Sequence, residues 1–273
     1  MLKQRLITGM VLIALLLGAL FVMPPIAWTV LVVVMVMLGI SEWGRLSKLS
    51  AHGAIAYWWI TFAVMAGMAG FGLTGTVRPT LLHLPLYALS VLFWIVLAPL
   101  WMMRGWHVRQ PLAMALVGWM VLIPFGLAMI DLRAKSSWLV LGIMALVWIA
   151  DTAAYFSGKK FGKHKLAPTI SPGKTWEGVA GAVLVVSLYV VAAGYFSGQV
   201  HGFRNFILLT LISWVGVALS VTGDLFESAA KRQAGVKDSG ALLPGHGGVL
   251  DRIDAMTSTL PAAAFALLVW AMI

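Results

Sequence analysis

Five of the chain's nine carboxylates fall between residues 224 and 254: Asp224, Glu227, Asp238, Asp251 and Asp254. Asp224, Glu227, Ser228 and Lys231 stand at i, i+3, i+4 and i+7, the spacing of one helix face. Asp251 and Asp254, three apart, precede a further apolar stretch. Carboxylates grouped this way suit a hard cation such as Mg²⁺, which takes a few of them and fills its shell with water and substrate phosphate. Pro244-Gly-His246-Gly-Gly248 lies between them. Glycines there would let backbone N–H groups approach a phosphate ahead of a helix N-terminus. Lys231, Arg232, Lys237 and Arg252 supply positive charge nearby.

Each feature alone also has a plainer explanation. Glu227 and Lys231 suit a helix-end pair worth a few tenths of a kcal/mol. Asp251 and Asp254 suit a helix N-terminus through the macrodipole. The glycines suit a flexible connection, and His246 serves equally as proton carrier, anion donor or plain loop residue. Asp224 resists such an explanation. It follows "LISWVGVALSVTG" directly, at the hydrocarbon edge, where an acid is expensive and finds a partner or a metal.

The elements that must position these residues are membrane spans. Hydrophobic residues make up 61% of the chain and charged ones 10%, against roughly 25% charged in soluble domains. Mean hydropathy is +0.96. The composition predicts an all-α, polytopic integral membrane protein, one transmembrane domain over residues 1–273. The apolar block from Leu6 to Ile40 would be about 52 Å long as one helix, too long for a core of about 30 Å. Pro24-Pro25 breaks it into a tight hairpin. Lys3 and Arg5 before the first apolar run imitate a signal peptide, but no small-x-small cleavage site precedes Pro24, so a retained first helix is expected. Further spans are predicted near 54–74, 84–103, 111–130, 138–156, 178–197, 206–226 and 255–273, nine in all. There is no cysteine, hence no disulfide and no thiolate metal site.

Alternating nine spans partitions the basic residues. One side takes Lys3, Arg5, Arg45, Lys48, Arg104, Arg109, Lys159, Lys160, Lys163, Lys165, Lys174, Lys231, Arg232, Lys237 and Arg252; the other takes Arg78, Arg133, Lys135 and Arg204. The excess places the N-terminus in the cytoplasm. It also accounts for the net charge of +10 through cytoplasmic loops facing anionic lipid, with no basic arm to favour nucleic acid. The acids follow the same division: only Asp131 falls on the outer side, so any chemistry faces the cytoplasm.

Two other stretches carry polar residues. "DTAAYFSGKKFGKHKLAPTISPGKTWEG" holds Asp151, expected to make a helix-packing hydrogen bond unless it serves the site. "SPGKT" imitates a nucleotide-binding loop, but the required glycine is Pro168, so the match fails. Lys174, Thr175 and Glu177 then open a helix, and the four other lysines read as positive-inside residues. In "SEWGRLSKL", Glu42 and Arg45 read as an interfacial pair.

Taken together, Ser228-x-x-Lys231-Arg232, Lys237-Asp238 and Pro244-Gly-His246-Gly-Gly248-x-x-Asp251-Arg252-x-Asp254 resemble the signature of the CDP-diacylglycerol synthases, also called phosphatidate cytidylyltransferases. All spacings match. "SPGKTWEG" and Asp151 with "AYFSGKKFGKHK" look like the same family, and length and span count extend the resemblance over the whole chain. The resemblance implies condensation of CTP with phosphatidic acid to CDP-diacylglycerol and pyrophosphate, in phospholipid biosynthesis, at a bacterial cytoplasmic (inner) membrane. It implies Mg²⁺, with room for a second cation. Asp224, Asp251 and Asp254 are then expected to bind metal. Asp224, Asp251, Lys231 and Arg252 would be catalytic, and Lys174, Ser228, Arg232, Lys237 and His246 would bind substrate. Membrane lipids are further partners, and a homodimer is left open beside a monomer.

Three rivals remain at this stage. A membrane polyprenol or phytol kinase also uses CTP but lacks the HGG-x-x-D-R-x-D block. A CDP-alcohol phosphotransferase needs DG and AR pairs that are absent. A cation-coupled transporter would place its carboxylates near the bilayer midplane on broken helices, rather than at one edge beside basic residues.

Overall fold

The computed structural model describes the backbone of residues 2–74, 79–198, 200–242 and 247–272, and within these the side chains apart from residues 2–8, 12, 71–74 and 79–81. The chain begins with α1 (Leu2–Val22), α2 (Pro25–Leu46) and α3 (Ala51–Thr74). Pro24 is extended at φ −64° and ψ 157°, and Pro25 occupies the first helical turn, where a missing N–H costs nothing. The expected proline hairpin is thus the α1–α2 corner.

The fourth span is compound. α4 (Pro79–Leu92) passes through a π-helical turn (Phe93–Leu97) into α5 (Ala98–Arg104), and Gly105 ends it in the left-handed region at φ +60°. Next come α6 (Pro111–Lys135), α7 (Ser137–Phe161), a hairpin of β1 (Lys165–Ala167) and β2 (Ser171–Thr175), then α8 (Trp176–Ser197), α9 (Phe203–Ala234) and α10 (Leu250–Trp270). Among the described residues, eight helical segments are long and apolar enough to cross a membrane, the α4–α5 segment counting as one. With α1, whose described apolar part is Gly9–Val22, this is the expected all-α polytopic architecture. The small hairpin β1–β2, antiparallel with Lys165 opposite Thr175, was not anticipated. It places Lys174 on a strand rather than at a helix start, and Thr175 caps α8 by accepting the Gly178 N–H at 3.2 Å.

α9 and α10 run longer at the site end than their apolar stretches suggest. α10 begins at residue 250, not 255, and α9 continues to 234, not 226. Both extensions carry the charged residues, which hydropathy alone assigns to loops. α10 packs against α9, α6, α4 and α7, and its Leu250, Ile253, Met256 and Leu260 lie in the main core. A second, smaller core joins α7, α8 and α9 through Ala150, Ala182, Val186, Val190 and Val217.

Candidate active site

The turn of α9 that bears Asp224 and Glu227 is fixed from both sides. On one side Phe226, buried at 2% exposure, meets four aromatic rings. Phe93 and Trp94 of the π turn and Trp101 of α5 lie edge-on at 5.2, 5.5 and 5.5 Å, and Trp43 of α2 stacks at 6.5 Å. Edge-to-face pairs of this kind add about 0.5–1.5 kcal/mol each beyond burial. On the other side Gly223 faces α10. A Cβ there would stand 2.7 Å from the Asp254 carbonyl oxygen and 3.2 Å from the Ala255 Cα. Small residues allow such close backbone approach within a membrane, and Ser258 seals it by donating to the Leu219 carbonyl at 2.8 Å.

α10 then delivers its first-turn acids to α9. The Lys231 ammonium bridges Glu227 Oε2 at 2.9 Å and Asp251 Oδ1 at 2.6 Å. The three side chains are only 13%, 5% and 7% exposed. The Glu227–Lys231 pair foreseen as a surface contact is therefore buried, where removing one partner costs about 3–5 kcal/mol. Asp251 Oδ2 accepts three further bonds, from Gly248 N at 2.8 Å and from Ser239 N and Oγ, each at 3.0 Å. The Gly248 N–H, a candidate phosphate donor in the sequence, is thus taken up by Asp251.

The hairpin reaches the same place from the other side. Lys174 of β2 pairs with Asp224 Oδ2 at 2.5 Å, and Ser228 Oγ lies 3.5 Å from Asp224 Oδ1. The hairpin base is held by Glu177 of α8, which accepts from the His164 backbone N–H at 3.2 Å and meets its Nδ1 at 2.6 Å. Asp254 has neighbours of its own sign: Asp224, Glu227 and Asp151 all act on it electrostatically. The adjacent Ala255 N–H donates to it at 2.7 Å, and its carboxyl group shares a side-chain hydrogen bond with that of Glu227. A small cavity among α9, α10, α2, α6 and the π turn is lined by Trp43, Trp94, Phe226 and Leu250 as well as by Glu227, Asp254 and Thr257.

Four elements, α7, β2, α9 and α10, therefore bring Asp151, Lys174, Asp224, Ser228, Lys231, Asp251 and Asp254 to one end of the bundle. Arg232, Lys237 and Arg252 are exposed around it, free to meet a large anion. His246 lies outside the described residues. The two buried-end lysines are engaged, Lys174 by Asp224 and Lys231 by Glu227 and Asp251. That leaves Asp254 and Asp151 without a direct ion pair among the described contacts, although Glu227 shares a hydrogen bond with Asp254 and the Lys174 charge acts on Asp151. Low-dielectric surroundings make an excess of carboxylates costly, and a hard cation would relieve it. Among the described residues no three His, Asp or Glu side chains form a ready metal cage. Mg²⁺ does not require one, since one or two carboxylates with water and phosphate suffice. The all-oxygen donor set of Asp224 and Asp254 fits that demand; Asp251 is held more tightly, by four donors at 2.6–3.0 Å, than Asp224, which has Lys174 at 2.5 Å and Ser228 at 3.5 Å.

Sequence reasoning missed Glu42 and Ser239. Glu42 does not pair with Arg45; among the described residues the two form no salt bridge. Its carboxylate, 3% exposed, instead accepts from Val249 N at 3.0 Å, Leu250 N at 2.9 Å and Ser239 Oγ at 2.8 Å. Arg45 reaches the Ser239 carbonyl at 3.5 Å. Contacts spanning some two hundred residues have no local spacing to betray them.

This geometry gathers carboxylates and lysines at one end of a bundle of long apolar helices. Residues 3–270 match the model of the cytidylyltransferase family, and the chain belongs to that family. Among its relatives, a phosphatidate cytidylyltransferase of Haemophilus influenzae is 38% identical over 280 residues, covering 96% of each chain. One of Pseudomonas aeruginosa is 38% identical over 290 residues, covering 99% of this chain and 98% of the relative. A third, of Rickettsia felis, is 34% identical over 196 residues.

Proposed function

We propose that this chain transfers the cytidylyl group of CTP to phosphatidic acid, giving CDP-diacylglycerol and pyrophosphate, with Mg²⁺ as the working cation. The observation that carries the reading is the meeting of Asp224, Asp254, Lys174 and Lys231 at one bundle edge, in a chain of this family. A phosphatidate phosphate oxygen attacks the α-phosphorus of CTP. The new O–P bond forms as the bond from the α-phosphorus to the bridging oxygen breaks, and pyrophosphate leaves with that electron pair. The attacking oxygen is ionised at neutral pH, so no strong base is needed and the work is positioning and charge neutralisation.

Asp224 and Asp254 would hold the cation, and Asp251 would hold Lys231 and the segment before α10. When bound, Mg²⁺ neutralises phosphate charge as it develops. Lys174 lies within reach of any phosphate brought to Asp224. Lys231 keeps its ammonium oriented between two carboxylates. Arg252, with Arg232 and Lys237, offers planar or flexible donors from the rim to the nucleotide phosphates. Ser228 adds a hydroxyl beside Asp224, and His246, from its place in the motif, would bind substrate. A single chain supplies every group this reading uses, and nucleic acid has no place in it.

Purified protein given CTP labelled at the α-phosphate should pass the label into the lipid phase with phosphatidate as acceptor. It should not do so with a polyprenol or with diacylglycerol. Label transfer to a polyprenol in place of phosphatidate would overturn the reading. The N-inside arrangement, which puts this edge in the cytoplasm, has a separate test. A reporter active only outside the cytoplasm should work when fused after Ile273, and a cytoplasm-only reporter working there would reverse it.

A further inference from the structure

We propose that Glu42 is a positioning residue for the reaction: from α2 it sets the segment before α10 and, through Ser239, the carboxylate of Asp251. This rests on the cytidylyl-transfer reading above.

The geometry is specific. Glu42 sits near the C-terminal end of α2 and receives the backbone N–H groups of Val249 and Leu250. These are orphan donors at a helix start, and a carboxylate there is favoured by the macrodipole. The same carboxylate accepts from Ser239 Oγ, which stands 3.0 Å from Asp251 Oδ2. A hydroxyl has one proton to give, so Ser239 shares it between two carboxylates from distant parts of the chain, nearer to Glu42 at 2.8 Å than to Asp251 at 3.0 Å. Asp251 in turn holds Lys231 at 2.6 Å. The relay runs from α2 to the segment before α10, to α10 and to α9.

The surroundings are shaped for Glu42. A Cβ on either Gly240 or Gly248 would collide with its carboxylate oxygens. The glycines of this segment thus leave room for an acid rather than for slack. Neither lysine of the site touches Glu42, so it is no member of the lysine–carboxylate pairs; its charge is met by backbone and hydroxyl donors. Capping α10 alone needs only acceptor oxygens for two N–H groups; the tie through Ser239 to Asp251 is what links Glu42 to the site.

Glu42→Gln keeps the size but leaves one acceptor oxygen where two were used, and its amide would face a donor. The experiment compares this variant with Trp28→Phe, which loosens the other end of α2 where Trp28 Nε1 meets the Met129 carbonyl. Hydrogen exchange is read at Val249 and Leu250 in the purified, detergent-solubilised protein, with Mg²⁺ and substrate titrations beside it. Glu42→Gln should speed exchange at those amides at least about tenfold. It should raise the Mg²⁺ needed for half-maximal rate about fivefold and lower kcat about tenfold, with the KM for CTP within about threefold of wild type. Trp28→Phe should lower the unfolding temperature without moving the Mg²⁺ curve. Ser239→Ala removes only the shared hydroxyl and should give the same signature at smaller size; it carries the test should Glu42→Gln fail to accumulate. Faster exchange with an unchanged Mg²⁺ requirement and kcat would make Glu42 a scaffold residue and overturn the proposal. So would unchanged exchange, or an equal Mg²⁺ shift in Trp28→Phe. A wild-type protein without cytidylyl transfer would instead sink the functional reading, while the exchange data would still report whether Glu42 holds the segment.

Discussion

Two polar clusters sit at opposite ends of the bundle, and they are organised differently. At the far end Asp131 is the lone acid. Its Oδ2 accepts from Tyr87 at 2.7 Å and meets His83 Nδ1 at 2.7 Å. Next to it Arg133 donates from Nε to the Leu20 carbonyl at 2.9 Å and from Nη2 to the Met23 carbonyl, with its guanidinium 5.0 Å over the Trp28 ring. Asp131 and Arg133 each have local partners, and those partners clamp α4, α1 and α2 to α6. At the near end six carboxylates, Glu42 included, meet two engaged lysines, and Asp254 faces its own kind. A closed cluster holds helices together. An open one, left with excess charge of one sign, waits for something from outside. The contrast separates structural from functional polar residues better than burial does, because both clusters mix buried and partly exposed side chains.

The contrast breaks most sharply at Asp224. Asp224→Asn keeps shape and loses charge, and it should lower turnover at least about a hundredfold, roughly 2.7 kcal/mol of transition-state stabilisation. Membrane insertion and unfolding temperature should stay near wild type; turnover within a few fold of wild type would make Asp224 a packing acid like Asp131.

A finer division within the near end comes next. Asp251→Glu pushes the carboxylate out by a methylene and disturbs Lys231 and Ser239, so the Mg²⁺ required for half-maximal rate should rise by about tenfold. Arg252→Lys, on an exposed side chain, should leave that requirement nearly unchanged and weaken use of CTP or phosphatidate instead. If both variants move the metal curve equally, the two residues act as one unit bracing the start of α10.

The smallest effect on turnover is expected at the far end. Asp131→Asn should change kcat by less than about threefold while costing about 1–3 kcal/mol of stability through the Tyr87 and His83 bonds. A large loss of turnover there, with stability intact, would erase the distinction between the ends.

Much of this was legible in the sequence. Long apolar runs, the Pro24-Pro25 break and the i, i+3, i+4, i+7 row on α9 are local patterns with one physical meaning each. The joining of Asp224 to the start of α10 followed from motif spacing and resemblance. What escaped was long-range or compact. The Glu42 bonds to residues 239–250 join distant segments. The β1–β2 hairpin is built from short strands in a lysine-rich stretch that reads as loop. The aromatic grip on Phe226 depends on a π turn inside the fourth span, and no hydropathy window resolves it. Only the apolar span limits fell short, ending at 226 and starting at 255, while the residue spacing already put Asp224–Lys231 and Asp251–Asp254 on helices.

On the reading proposed above, Asp224 and Asp254 hold a divalent cation at the near end. The most direct measurement is Mn²⁺ binding to the purified protein in the presence of CTP, read from the loss of the free-ion paramagnetic resonance signal. Wild type and Asp131→Asn should bind with the same affinity, and Asp224→Asn and Asp254→Asn should each bind at least about tenfold more weakly, about 1.4 kcal/mol. Equal binding by all four proteins, or a loss confined to Asp131→Asn, would contradict it.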